Sequence, residues 1–301
     1  PEPERPAVGE DGEPDSLLEE AIEWVDEKHA ALSGMVQSSA LAIDRFFATD
    51  EYLEDTTESY LRVITDLDYD TRDDVSGAIN VRGKLDLPGT KRRFSLIVSG
   101  ESDDPFGDDV SAEDDRENTS LAIERNPRTG LDGWRIRPSV GVKGGWPLDP
   151  YAQLRATRKD DLGGGWVART QGTVRYLVDD QWDLRAEFQL TQVIDDEWSW
   201  RTRTSLRRED VDGYSKASQS FDVYQRVNDE VAMRHTLSVS GDDEFDQWEV
   251  DTYRYRFSWR RLIHSDWLFF EASPEIYFPR EYDYEATGAV QLRLEAYIGG
   301  L

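Results

Sequence analysis

Between Ala286 and Ile298 apolar and polar positions alternate without a break. Ala286, Gly288, Val290, Leu292, Leu294, Ala296 and Ile298 share one phase, and Thr287, Ala289, Gln291, Arg293, Glu295 and Tyr297 the other. Successive side chains of a strand point to opposite faces, so this stretch predicts a strand with one apolar and one mostly polar face. The same alternation recurs back to Tyr60. Fourteen such runs lie at about 60–70, 77–87, 93–101, 119–125, 134–144, 151–158, 166–177, 182–192, 198–208, 216–226, 231–241, 248–260, 267–278 and 286–298, separated by clusters of Asp, Gly, Asn and Pro. That spacing is the signature of an all-β barrel or sandwich. The fourth run is the weakest, and twelve is the alternative count.

A soluble sandwich turns its apolar face inward, whereas a transmembrane barrel turns it outward and lines its lumen with the polar face. Two features favour the barrel. Trp134, Trp146, Trp166, Trp182, Trp198, Trp200, Trp248 and Trp267 fall at or near strand ends, where an interfacial girdle places them. The long acidic segment 102–118 follows the third strand, on the side expected to face outward, while 87–91 and 227–230 are short and fall on the inner side. The expectation is an all-β transmembrane β-barrel of fourteen antiparallel strands over residues 59–301.

Ahead of the strands the period changes. Residues 1–15 are rich in Pro, Glu and Gly and are expected to be a disordered acidic leader. Ser16 and Glu19 form a capping box that opens an amphipathic helix over 16–48, followed by an acidic linker over 49–58. The apolar positions Leu18, Ile22, Val25, Leu32, Val36, Ile43 and Phe46, with His29 and Ser39, follow a heptad seam. Such a seam prefers another helix or a partner's groove. The helix is therefore expected to stay in the periplasm and to associate with a second copy or a periplasmic protein, the alternative being an acidic plug in the barrel mouth.

The chain of 301 residues has 63 acidic and 35 basic residues, a net charge of -28, and no cysteine. This charge argues against nucleic acid as a partner, because phosphates would be repelled. The lack of cysteine removes disulfides, thiolate metal sites and thiol nucleophiles. No run of apolar residues is long enough for a transmembrane helix, which leaves strands as the way across a membrane.

The segments AIDRFFATDEYLEDTTESYLRV, LDLPGTKRRFSLIVSGE, YQRVNDE, RLIHSDWLFFEASPEIYFPRE and AVQLRLEAYIG resemble a family of uncharacterised outer-membrane β-barrel proteins of Gram-negative bacteria. The resemblance runs from Ala42 to the C-terminus. It implies a barrel fold in the bacterial outer membrane, in contact with its lipid and lipopolysaccharide, and implies no activity or binding residue.

Candidate chemistry lies on the polar phase of the strands. Arg62, Arg82, Lys84, Arg135, Arg137, Arg155, Arg169, Arg185, Arg201, Arg203, Arg234, Arg254, Arg256 and Arg293 share it with fewer carboxylates, among them Asp183, Glu187, Glu271 and Glu295. The lumen is thus expected to be basic inside an acidic protein. Cross-strand pairing in a largely closed barrel and an anion-preferring pore both fit that pattern. The adopted reading is a passive channel for small hydrophilic or anionic solutes; the alternative is a non-conducting docking component working through the N-terminal helix. His29, His235 and His264 lack a second ligand at metal spacing, and a lipid hydrolase built on His235 with Ser238 or Ser240 lacks an identifiable cluster. No catalytic, metal or cofactor site is expected. The Asp pairs of 102–118 read as a solvated loop, and Gly163 to Gly165 as a turn.

Overall fold

The computed structural model describes residues 46–47 and 59–299, apart from 73–74, 88–92, 100–118, 127, 130–132, 145–147, 211–212, 245–246 and 266. Its strands are β1 (Tyr60–Asp70), β2 (Val75–Asp86), β3 (Phe94–Ser99), β4 (Ser120–Arg125), β5 (Arg128–Thr129), β6 (Arg135–Lys143), β7 (Asp149–Gly163) and β8 (Trp166–Leu177). They continue as β9 (Gln181–Val193), β10 (Trp198–Glu209), β11 (Ser215–Arg226), β12 (Val231–Asp242), β13 (Glu249–His264), β14 (Leu268–Pro279) and β15 (Thr287–Ile298). Every pairing is antiparallel between neighbours, and β1 pairs with β15 from Leu61 opposite Ile298 to Asp70 opposite Ala289. The sheet therefore closes on itself and leaves no edge.

β4 and β5 are one interrupted strand. Glu124 pairs with Ser139 and Arg128 with Ile136, so the register along β6 slips by one residue between them. Counted as one, they make a closed barrel of fourteen strands, which replaces the alternative of twelve. An even count brings β1 in and β15 out at the same rim, called here the lower rim.

The apolar phase points outward. On β15 Val290, Leu292 and Leu294 are exposed while Glu295 and Tyr297 are buried; on β1 Leu61 and Leu67 are exposed while Arg62 and Asp66 are buried. The inversion follows from the period of two once the sheet is closed with the charged phase inside. Tight turns finish the strands. Gly164 and Gly165 both have positive φ, and a Cβ on Gly165 would lie 2.4 Å from the Val193 carbonyl oxygen, so only glycine closes the β7–β8 hairpin. β7 runs on to Gly163, beyond the expected end at Arg158, because β8 continues to supply ladder partners although 159–161 are polar on both faces.

The outer tryptophans form two belts. At the lower rim Trp166 meets Trp200 edge-on at 5.2 Å and Trp200 lies 5.4 Å from Phe221; at the upper rim Tyr176 meets Trp182 at 5.0 Å. Trp267 departs from the expected girdle. It is buried with Phe46, Phe47, Tyr224, Phe269 and Tyr297 at the lower rim. The expected leader, the linker, Trp146, the acidic loop and the helix with its seam residues Leu18, Ile22, Val25, Leu32, Val36 and Ile43 lie outside the described residues.

Candidate pore and its charged wall

The inward phase divides into two walls of different electrostatic character. The first covers β11 to β15 and β1 to β4, where one row of cations and carboxylates alternates in register, although Arg62 also stands opposite Arg82. Arg260 stands opposite Glu271, Glu271 opposite Arg293, and Arg293 opposite Asp66, so one transverse row reads positive, negative, positive, negative. Arg260 Nη1 lies 3.2 Å from Glu271 Oε2, and Arg293 Nε lies 2.7 Å from Asp66 Oδ1. One step toward the lower rim, the carboxylate of Glu295 accepts hydrogen bonds from Arg62, Arg260 and the Tyr297 hydroxyl. Glu271 also pairs with Arg234 at 3.5 Å, and Glu275 with Arg256 at 2.6 Å and Arg254 at 3.8 Å. Such opposite pairs across a ladder stabilise it.

The second wall covers β6 to β10. The arginines on its inward phase are Arg135, Arg137, Arg155, Arg169, Arg175, Arg185, Arg201, Arg203 and Arg207, against the carboxylates Asp149, Asp161, Asp183, Glu187 and Glu209 on the same phase. Here the register brings like charges together. Arg137 pairs with Arg155, Arg155 with Thr173, Thr173 with Arg185, Arg185 with Arg207, and Arg207 with Lys216. A single row across six strands therefore holds five cations and one threonine. Asp183 serves several of them, at 2.9 Å from Arg185, 3.5 Å from Arg207 and 4.0 Å from Arg175. Glu187 lies 3.7 Å from Arg203 and Glu124 lies 4.0 Å from Arg137. Neutral acceptors complete the wall: Arg169 donates to Gln171 at 2.8 Å and Arg201 to Thr191 at 3.2 Å.

The residues singled out from the sequence thus occupy two different settings. Arg62, Arg234, Arg254, Arg256, Arg293, Glu271 and Glu295 belong to the alternating wall. Arg135, Arg137, Arg155, Arg169, Arg185, Arg201, Arg203, Asp183 and Glu187 belong to the basic one. Arg82 and Lys84 lie on β2, Arg82 buried opposite Arg62 and Lys84 half-buried opposite Tyr60.

Sequence reasoning missed a group of inward aromatics at the lower rim, formed by Tyr224, Phe269 and Tyr297 with Phe46 and Phe47 packed on them. Its signal was present in the pattern: Tyr224, Phe269 and Tyr297 each fall on the charged phase within three residues of a strand end. Phe46, expected in a helix seam, has its ring buried edge-on against Phe269 with centroids 5.5 Å apart. His235 and Ser238 fall on opposite phases of β12, with His235 Nδ1 2.9 Å from the Tyr255 hydroxyl on the outer face. Period two separates them.

A closed antiparallel barrel with an apolar exterior, aromatic belts and a charged interior is an outer-membrane β-barrel. No protein-family model and no curated protein sequence matches the chain. Solved structures that resemble it include the outer-membrane protein OmpT of Vibrio cholerae, at 10% identity over 79% of this chain and 96% of that one, with a TM-score of 0.47. The outer-membrane channel DcaP of Acinetobacter baumannii aligns at 9% identity over 79% and 96%, with a TM-score of 0.46. An anion-selective porin from Comamonas acidovorans aligns at 9% identity over 79% and 98%, also with a TM-score of 0.46.

Proposed function

We propose that the barrel is a passive outer-membrane channel for small hydrophilic solutes that favours anions, with its lower rim in the periplasm. The observation that carries this reading is the row Arg137, Arg155, Thr173, Arg185, Arg207 and Lys216, in which Arg137 faces Arg155, and Arg207 faces both Arg185 and Lys216, directly across the ladder. Like charges placed so cost stability, and the opposite wall of the same barrel shows that the fold accommodates alternating charge. Asp183, Glu209 and Glu124 offset part of that charge, and five cations against three carboxylates leave the row basic. Inside a low-dielectric tube such a row attracts anions more strongly than it would in bulk water. Rows follow the hydrogen-bonding direction, and strands in barrels tilt, so the row climbs the wall as an inclined track and does not encircle it.

Planar-bilayer recording with a salt gradient tests the proposal. The wild-type protein should give stepwise conductance with a reversal potential of anion-selective sign. Arg137→Gln combined with Arg155→Gln should move that potential toward zero, since it removes two cations of the row. An unchanged reversal potential overturns the assignment of the track, and silence from well-folded protein overturns the channel.

A further inference from the structure

Phe46 and Phe47 precede the barrel in sequence, yet both rings are buried inside its lower rim. Phe46 packs edge-on against Phe269 at 5.5 Å, and Phe47 packs against Tyr224 at 5.3 Å. The Arg234 guanidinium lies over the Phe47 ring, 5.3 Å from its centroid. The barrel supplies a seat for them. Tyr224 comes from β11, Phe269 from β14 and Tyr297 from β15, with Trp267 contributed by the turn before β14. These aromatics point inward at one level of an interior whose inward phase is mostly polar or charged. Arg260 covers Phe269 at 4.5 Å and Arg201 covers Tyr224 at 5.3 Å, so the seat is bounded by guanidinium faces. Bare phenyl rings do not lodge in an ion-lined tube unless aromatic edges and cation faces receive them, and here both are provided.

We propose that Phe46 and Phe47 form a tethered stopper that narrows the periplasmic mouth of the channel, lodged on its alternating-charge side and facing the basic track across the lumen. The proposal rests on the channel reading above. Among the described residues, the contacts that seat Phe46 and Phe47 are side-chain contacts with the inner wall. Arg234 links it to the wall, because the guanidinium that covers Phe47 also pairs with Glu271. Leaving the seat widens the mouth.

Two measurements on the full chain test the stopper, and one is independent of conduction. The sequence contains no cysteine, so Phe47→Cys carries a single thiol. In the folded barrel that thiol should react with a membrane-impermeant maleimide far more slowly than one placed by Val227→Cys, an exposed position in the β11–β12 turn, and the two should react alike in denaturant. Equal rates in the folded state overturn the proposal. In bilayers, Phe46→Ala with Phe47→Ala should raise single-channel conductance severalfold. Tyr224→Ala, which removes part of the seat from the barrel side, should act in the same direction. Wild-type conductance in all these variants, checked as folded by their migration before boiling, overturns the stopper and leaves the channel standing. Silence from wild type and variants alike overturns both.

Discussion

Glu295 is the residue on which the lower rim converges. It is fully buried and receives Arg62, Arg260 and Tyr297, so its replacement removes the acceptor that two guanidiniums held out of water share. Breaking a buried ion pair from one side costs about 3–5 kcal/mol. Glu295→Gln should therefore lower the urea midpoint of unfolding from lipid vesicles by a margin that Glu275→Gln does not reach. The Glu275 partner Arg256 is part-exposed, and a pair of that kind contributes about 1 kcal/mol or less. Equal effects would show that the lower rim is not a concentrated source of stability. A second position depends on backbone alone. Gly165 has φ near +80° and a virtual Cβ against the Val193 carbonyl, so Gly165→Ala forces both an unfavourable conformation and a clash. It should destabilise by at least about 1–2 kcal/mol in the same assay, with Gly133→Ala, whose Cβ meets open space, costing less.

At the scale of the element, the strand is defined by which phase meets lipid. Leu292 and Gln291 are adjacent on β15, one exposed on the outer face and the other half-buried inside. An arginine on the lipid face near mid-membrane costs about 2–4 kcal/mol, whereas one on the inner face joins an already charged surface. Leu292→Arg should accordingly reduce folding into vesicles, read as loss of the heat-modifiable band, and Gln291→Arg should not. Loss of folding in both would contradict the assigned phases. Eleven of the expected runs became strands within two residues of their expected ends, because alternation reports phase directly, β7 and β13 run on further, and the weak fourth run became β4 with its continuation β5. The extension of β7 was not legible, since its polar residues are held by pairing with β8 and not by a pattern of their own. Nor was the place of Trp267, as a tryptophan near a strand end suits either an outer belt or an inner rim and only the turn geometry separates them.

At the scale of the molecule, closure decides almost everything. Ten residue pairs join β1 to β15, sequence neighbours only through the whole barrel, and they turn an open sheet with two edges into a wall with none. The charge track then acts as a unit, which makes its effect depend on salt. The Debye length falls from about 10 Å at 0.1 M to about 3 Å at 1 M, so anion selectivity should weaken markedly over that range. A reversal potential that implies the same permeability ratio at both concentrations would mean that selectivity arises from contacts shorter than the screening length and not from the field of the row. The amino-acid sequence by itself determined the strands, their two phases, the charged interior and the alternative between barrel and sandwich, because a period of two is a local property of adjacent side chains. The tertiary structure decided which charges face which. Arg137 meets Arg155 and Arg260 meets Glu271 through the register of neighbouring strands, and composition contains no record of register. It also decided that Phe46 and Phe47 meet Tyr224 and Phe269, since a contact between the start of the chain and the ends of distant strands exists only after the ladder has closed.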